Sequence, residues 1–157
     1  MKIFVDADAC PAKNEILEVC RRHKIAPIFV ANAEIPAIAA SADAQMQVVS
    51  ANFDAADHWI IQQAQPGDLI ITADLLLAQQ AARKKVDAIN FSGGALTDEI
   101  IHDLVARREI QQFLREMNLP SHKPTPYGKA NRSRFKATLH QWLDTQRNLH
   151  PSANRRK

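Results

Sequence analysis

Lys2-Ile3-Phe4-Val5-Asp6-Ala7-Asp8 opens the chain with a short apolar run that ends in two acids one residue apart. A brief, unbroken apolar run is the pattern of a strand buried on both faces, which a parallel sheet requires. Pro11 suits the first turn of a helix, and Ile16, Leu17, Val19, Cys20 and His23 then recur on one face through Lys24. The alternation continues. Strands are expected at 26–31, 46–51, 68–72 and 86–90, with helices at 36–42, 54–64 and 75–85 between them. Pro66-Gly67 stops the second of these helices, and Ser92-Gly93-Gly94 makes a turn after the last strand. Strands and helices alternating at this spacing specify an α/β fold with a mainly parallel sheet of about five strands and right-handed crossovers.

The strands then cease. A long helix is expected at 98–118, a Pro-rich loop at 119–128, and a last amphipathic helix at 133–149 carrying Phe135, Leu139, Trp142 and Leu143. No repeat or linker divides the chain. One domain over 1–149 with a helical C-terminal third is expected, followed by a mobile basic tail at 150–157. With 157 residues, 46% of them hydrophobic and 24% charged, the composition is globular and excludes a disordered chain.

The formal charge is only +3, but basic residues thicken toward the end at Lys123, Lys129, Arg132, Arg134 and Lys136, then Arg155, Arg156 and Lys157. Asp6 arrives before any apolar leader could form, and no segment approaches the ~20 apolar residues of a membrane span. If Pro11 begins a helix, Cys10 and Cys20 lie about 15 Å apart along it, too far for a disulfide. Reduced thiols in a cytoplasmic protein follow. The six histidines lack metal-ligand spacing, which argues against zinc.

In open parallel sheets ligands bind outside the carboxyl ends of the strands. Asp6 and Asp8 end the first strand, Asp74 ends the fourth, and Asp57 lies in the first turns of the helix that feeds it. Crowded carboxylates repel unless a cation joins them, and Mg²⁺ accepts a few carboxylates while keeping several waters. Asp54 reads as a helix cap, and Asp57 and Asp74 are open to the same explanation. Asp6 and Asp8 are not, because Cys10 would take the cap position before Pro11. Lys13, in the first turn, opposes the helix dipole, so pairing with Asp6, Asp8 or a substrate phosphate competes with plain solvation. Cys10 reads as a small packed residue, and Ser92-Gly93-Gly94 as a weak candidate to cradle an anion.

Val5-Asp6-Ala7-Asp8-Ala9-Cys10-Pro11 followed by Lys13 resembles the opening signature of the YaiI/YqxD family of uncharacterised bacterial proteins. Phe53-Asp54 through Asp57, Gly67 to Asp74, and Leu77-Ala78 resemble its second block. Gly93, Thr97, Ile101, Arg108, Arg115, Pro124, Arg132 and Phe135 also fall where that family has the same residues. The chain departs from it at Ser92 for Arg, Leu96 for Tyr, His122-Lys123 for Gly-Gly, and Asn131 for Asp. The resemblance implies a PIN-like fold, that of many metal-dependent ribonucleases. It implies Mg²⁺ or Mn²⁺ on Asp6, Asp57 and the Thr72-x-Asp74 pair, with Asp8 as an added ligand.

Three functions compete. The first is a metal-dependent nuclease or phosphodiesterase acting on RNA or DNA, with Asp6, Asp8, Asp57 and Asp74 catalytic and Lys13, Thr72, Arg108 and Arg132 on the substrate side. The second is a phosphatase of the haloacid-dehalogenase type, which also begins strand-Asp-x-Asp but wants a later Lys and acidic pair that this sequence does not place. The third is a non-catalytic nucleic-acid or protein-binding module on the same scaffold.

Overall fold

The structure, a computed structural model, describes residues 1–123 and 125–151. Pro124 and the basic residues Arg155, Arg156 and Lys157, with the mobile tail expected of them, lie outside the described residues. Along the chain run β1 (Ile3–Asp6), α1 (Lys13–Arg22), β2 (Ile28–Ala31), α2 (Pro36–Ala39), β3 (Gln45–Val48), α3 (Ala55–Gln63), β4 (Leu69–Ile71), α4 (Leu75–Arg83), β5 (Asp87–Ile89), α5 (Asp98–Glu116) and α6 (Lys129–Leu149). All five strands are parallel, in the order β3-β2-β1-β4-β5. This is the α/β architecture the sequence implies, and it accords with the PIN-like resemblance.

The order carries a consequence for function. From β1 the chain winds outward through β2 to β3, crosses back, and continues through β4 to β5. Right-handed crossovers therefore place helices on opposite faces in the two halves, and a crevice opens where β1 meets β4. The side chains agree. Ile3 and Val5 of β1 face a core completed by Ile16, Val19, Ile38, Phe135, Leu139 and Leu143, from α1, α2 and α6. Phe4 faces the other, completed by Ile60, Leu77, Ala78, Ala81 and Ile101, from α3, α4 and α5. Central strands are apolar throughout because both of their faces are covered. Asp68, just before β4 and 6% exposed, has a structural role: its carboxylate accepts from Lys2 N (2.8 Å) and Gln65 N (2.9 Å), pinning β4 beside the start of β1.

Two helix starts differ from expectation. Pro11 is not the first helical residue, and Cys10 is not the cap. The chain turns through residues 7–11, Ala12 is the N-cap with no side-chain bond, and Ile16 N donates to Ala12 O at 3.0 Å. At the other end, α6 begins at Lys129 rather than at 133. Gly128 N donates to the Asn131 side chain at 2.9 Å, and Asn131 Nδ2 donates to Ser92 Oγ at 3.0 Å. Gly93 (φ +84°) lets the β5–α5 turn approach α6, where a Cβ would lie 2.7 Å from Arg134 O.

Candidate metal centre at the strand ends

Asp6 ends β1, and Asp74 follows β4 at the N-cap of α4. Parallel pairing of Val5 with Ile71 brings these two strand ends side by side. Asp8 comes from the turn after β1, and Asp57 from the first turn of α3. All four acids the sequence singled out line one open cavity of about 390 Å³, joined by Asp54. Its remaining lining includes Asn32, Asn52 and Phe53, and none of its lining residues is Lys, Arg or His.

Thr72 organises the centre. Fully buried, it donates from Oγ1 to Asp6 Oδ2 at 2.9 Å and accepts from Asp74 N at 2.9 Å. One hydroxyl thus fixes an acid on each of two strands. Thr72→Val is expected to cost about 1–3 kcal/mol, because a half-buried acceptor on Asp6 and the half-buried N–H of Asp74 lose their partner together. Urea denaturation checks this, and a cost below about 0.5 kcal/mol would contradict the bridging role.

The capping explanations divide. Asp74 does cap α4, with Oδ1 accepting from Leu76 N (2.8 Å) and Leu77 N (3.2 Å). Asp54 does not cap: its backbone is left-handed at φ 62° and its side chain makes no cap bond, so it is left facing the cavity. Asp8 Oδ1 accepts from Asn32 N at 3.0 Å. The framework therefore holds one oxygen each of Asp6, Asp8 and Asp74.

Crowding shows in the acidities. Burial raises the Asp6 carboxyl above its ordinary value, against the Thr72 hydrogen bond, and the charges of Asp8 and Asp74 add to the rise. Burial, then the carboxylates of Asp74 and Asp6, push Asp57 up to about 7. Asp57 therefore binds its proton more tightly folded than unfolded. Its contribution to stability is complete below pH ~4 and is lost as pH rises through about 7. The ion-free protein is accordingly expected to lose urea resistance between pH 5 and 8, and Asp57→Asn to flatten that slope. An unchanged slope in the variant would sink the assignment.

Among the described residues, no group of three or more His, Cys, Asp or Glu side chains is placed to hold a metal ion as it stands. The donor set nonetheless fits Mg²⁺ or Mn²⁺. Every donor is a hard oxygen, the cavity is open to water, and such ions take one or two direct carboxylates with water completing the shell.

The expected phosphate contacts are dispersed. Lys13 pairs with neither Asp6 nor Asp8; its Nζ donates to Cys10 O at 2.8 Å. Arg132 lies 3.5 Å from Glu15 and stacks over Tyr127 at 5.5 Å from the ring centroid. Arg108 faces a separate groove of about 830 Å³ between α4 and α5, which meets the acidic cavity at Asp74. The Ser92-Gly93-Gly94 turn is no anion cradle, because Asn90 takes its amides: Ser92 N and Gly94 N bond Asn90 Oδ1, and Gly93 N bonds Asn90 O. Burial pushes the Cys10 thiol up to about 11, as for a packed residue rather than a nucleophile. Both cysteines are free and buried.

Asn32, Asn52 and Phe53 escaped the sequence reading, although Asn32 directly follows β2 and so occupies a strand end. The histidines hide a pair. His23 Nε2 and His140 Nδ1 lie 3.0 Å apart, bracing α1 against α6.

Comparison with known proteins agrees on one family. The profile described as "Uncharacterized BCR, YaiI/YqxD family" matches residues 4–145. A UPF0178 protein of Rhodospirillum rubrum is 35% identical over 141 residues, covering 90% of this chain and 94% of its own. UPF0178 proteins of Brucella ovis and Brucella suis are each 37% identical over 137 residues, covering 87% of this chain and 85% of theirs. No solved structure matches.

Proposed function

The chain belongs to the YaiI/YqxD family, and we propose that its strand-end cavity is a divalent-cation site for hydrolysing phosphodiester bonds in RNA or DNA. One observation carries this reading: Asp6, Asp8, Asp57 and Asp74 converge beside the β1/β4 switch point in a cavity lined by no basic residue. Structure alone has little use for so much uncompensated charge, whereas a cation removes the cost.

Asp6, Asp8, Asp57 and Asp74 would hold Mg²⁺ or Mn²⁺ through the oxygens the framework leaves open. Bound there, such an ion activates water and offsets charge on the leaving oxygen. The protein's part is positioning. Thr72 orients Asp6, the first turn of α4 fixes Asp74, and Asn32 N anchors Asp8. Asp57, whose carboxyl is pushed up to about 7 by burial and its acidic neighbours, would gain most from a cation and would have to give up its proton to ligate it.

The test is cleavage of labelled RNA and DNA strands with Mg²⁺ or Mn²⁺, comparing the native chain with Asp74→Asn. Metal-dependent cleavage lost in the variant supports the reading, and cleavage indifferent to Asp74 contradicts it. A second reading, a non-catalytic binding module, is favoured by the framework's use of one oxygen each from Asp6, Asp8 and Asp74, and by the lack of a ready ligand triad among the described residues. RNA affinity unchanged by Asp6 and Asp74 substitutions, without cleavage, would select it.

A further inference from the structure

We propose that the N-terminal half of α6 binds the phosphodiester backbone of a nucleic acid, with Lys129 and Arg134 as its principal contacts. This names the partner of the acidic cavity and rests on the reading above only for what happens to the strand there.

The 27 residues from Met117 to Leu143 contain no Asp or Glu and carry Lys123, Lys129, Arg132, Arg134 and Lys136. Without those five charges the chain's +3 would become negative, so its basic character is concentrated in one segment. A basic stripe on one element is the electrostatic footprint of a nucleic-acid partner.

Arg132 meets Glu15, Lys136 meets Glu18 and His140 meets His23, so α6 runs alongside α1 in the same direction. Trp142 Nε1 donates to Asp87 Oδ2 at 2.8 Å, fixing the far part of α6 at the start of β5. The N-terminal half of α6 therefore sits at the carboxyl ends of the strands, the edge that also holds Asp6 and Asp74.

Arg132 is taken by Glu15 and Tyr127, and Lys136 by Glu18. Lys129 and Arg134 are exposed and have no carboxylate partner among the described residues. Arg134 borders an open cavity of about 470 Å³ with Asn90, Gly93, Gly94, Ala137 and Thr138. Thr138 Oγ1 donates to Gly93 O and Asn131 to Ser92, so this wall is tied to the turn that follows β5. An arginine on a fixed wall can receive a phosphate without ordering a loop first.

The test is anisotropy of labelled single-stranded RNA and DNA of one sequence, in EDTA so that no cleavage intervenes, titrated with NaCl. Lys129→Glu/Arg134→Glu is expected to weaken binding at least tenfold and to lower the salt slope by about 1.4, at ~0.7 per lost single-strand contact. The charge-matched control Arg83→Glu/Lys85→Glu should bind at least threefold tighter than that variant, and both must keep the native circular dichroism. Equal losses in the two variants, no loss in the first, or no binding by the native chain at 50 mM NaCl would overturn the proposal. So would displacement by polyglutamate as effective as by unlabelled RNA, which would indicate an acidic protein instead. The two readings fail separately: Arg134-dependent binding without Asp74-dependent cleavage refutes the hydrolase and leaves this surface standing.

Discussion

Asp6→Asn should lower metal-dependent cleavage more than 100-fold while making the ion-free protein more resistant to urea at pH 8. Losing an outer partner of a metal ligand typically costs 10–100-fold, so losing a carboxylate ligand should exceed that. The stabilisation follows from the raised Asp6 carboxyl. Its preference for the protonated form supports the fold at low pH and is lost as pH rises through its folded value. Asparagine can still accept the Thr72 hydroxyl proton that Asp6 Oδ2 accepts, but it carries no charge to repel Asp8 and Asp74. A gain at pH 8 that shrinks toward pH 4 is expected, the usual trade when a functional strain is removed. Destabilisation at both pH values would show that Asp6 serves the fold instead.

Phe135→Ala should cost about 3–5 kcal/mol, a large part of the ~5–15 kcal/mol that holds such a domain together. Phe135 is fully buried in the core shared by α6, α1 and the sheet, among Ile89, Phe91 and Leu139. Truncating it opens a cavity where three elements meet. Phe113 supplies the contrast: it is 57% exposed on α5, and its replacement by Ala should stay within about 0.5 kcal/mol. Equal losses at the two positions, measured by urea unfolding, would contradict the assigned core.

The alternation of strands and helices was legible because central strands must be apolar on both faces, as Ile3-Phe4-Val5 and Leu69-Ile70-Ile71 are. The acids could be located from the same pattern, since a strand's end is visible where its apolar run stops. Pairing order was not legible. Nothing local in Val5 or Ile71 says that they are neighbours, yet that register makes Asp6 and Asp74 adjacent. The late start of α1 and early start of α6 were also hidden. Pro11 permits a helix without compelling one, and the Asn131 side chain that supports the start of α6 is also held by Ser92, a neighbour that local spacing does not reveal. The placement of Lys13 and Arg132 away from the acidic cavity was hidden for a related reason. Their nearest partners, Cys10 O and Glu15, are set by a turn and by helix packing that spacing does not encode.

Calorimetric titration of Mg²⁺ and Mn²⁺ into the native chain and Asp6→Asn, in two buffers of different ionisation enthalpy near pH 6.5, tests whether the strand-end acids form a cation site. Binding near millimolar or tighter, release of protons from Asp57, and loss of both in the variant are expected. Saturable binding that Asp6→Asn leaves intact, or no binding by either protein with or without a phosphodiester strand, would contradict such a site.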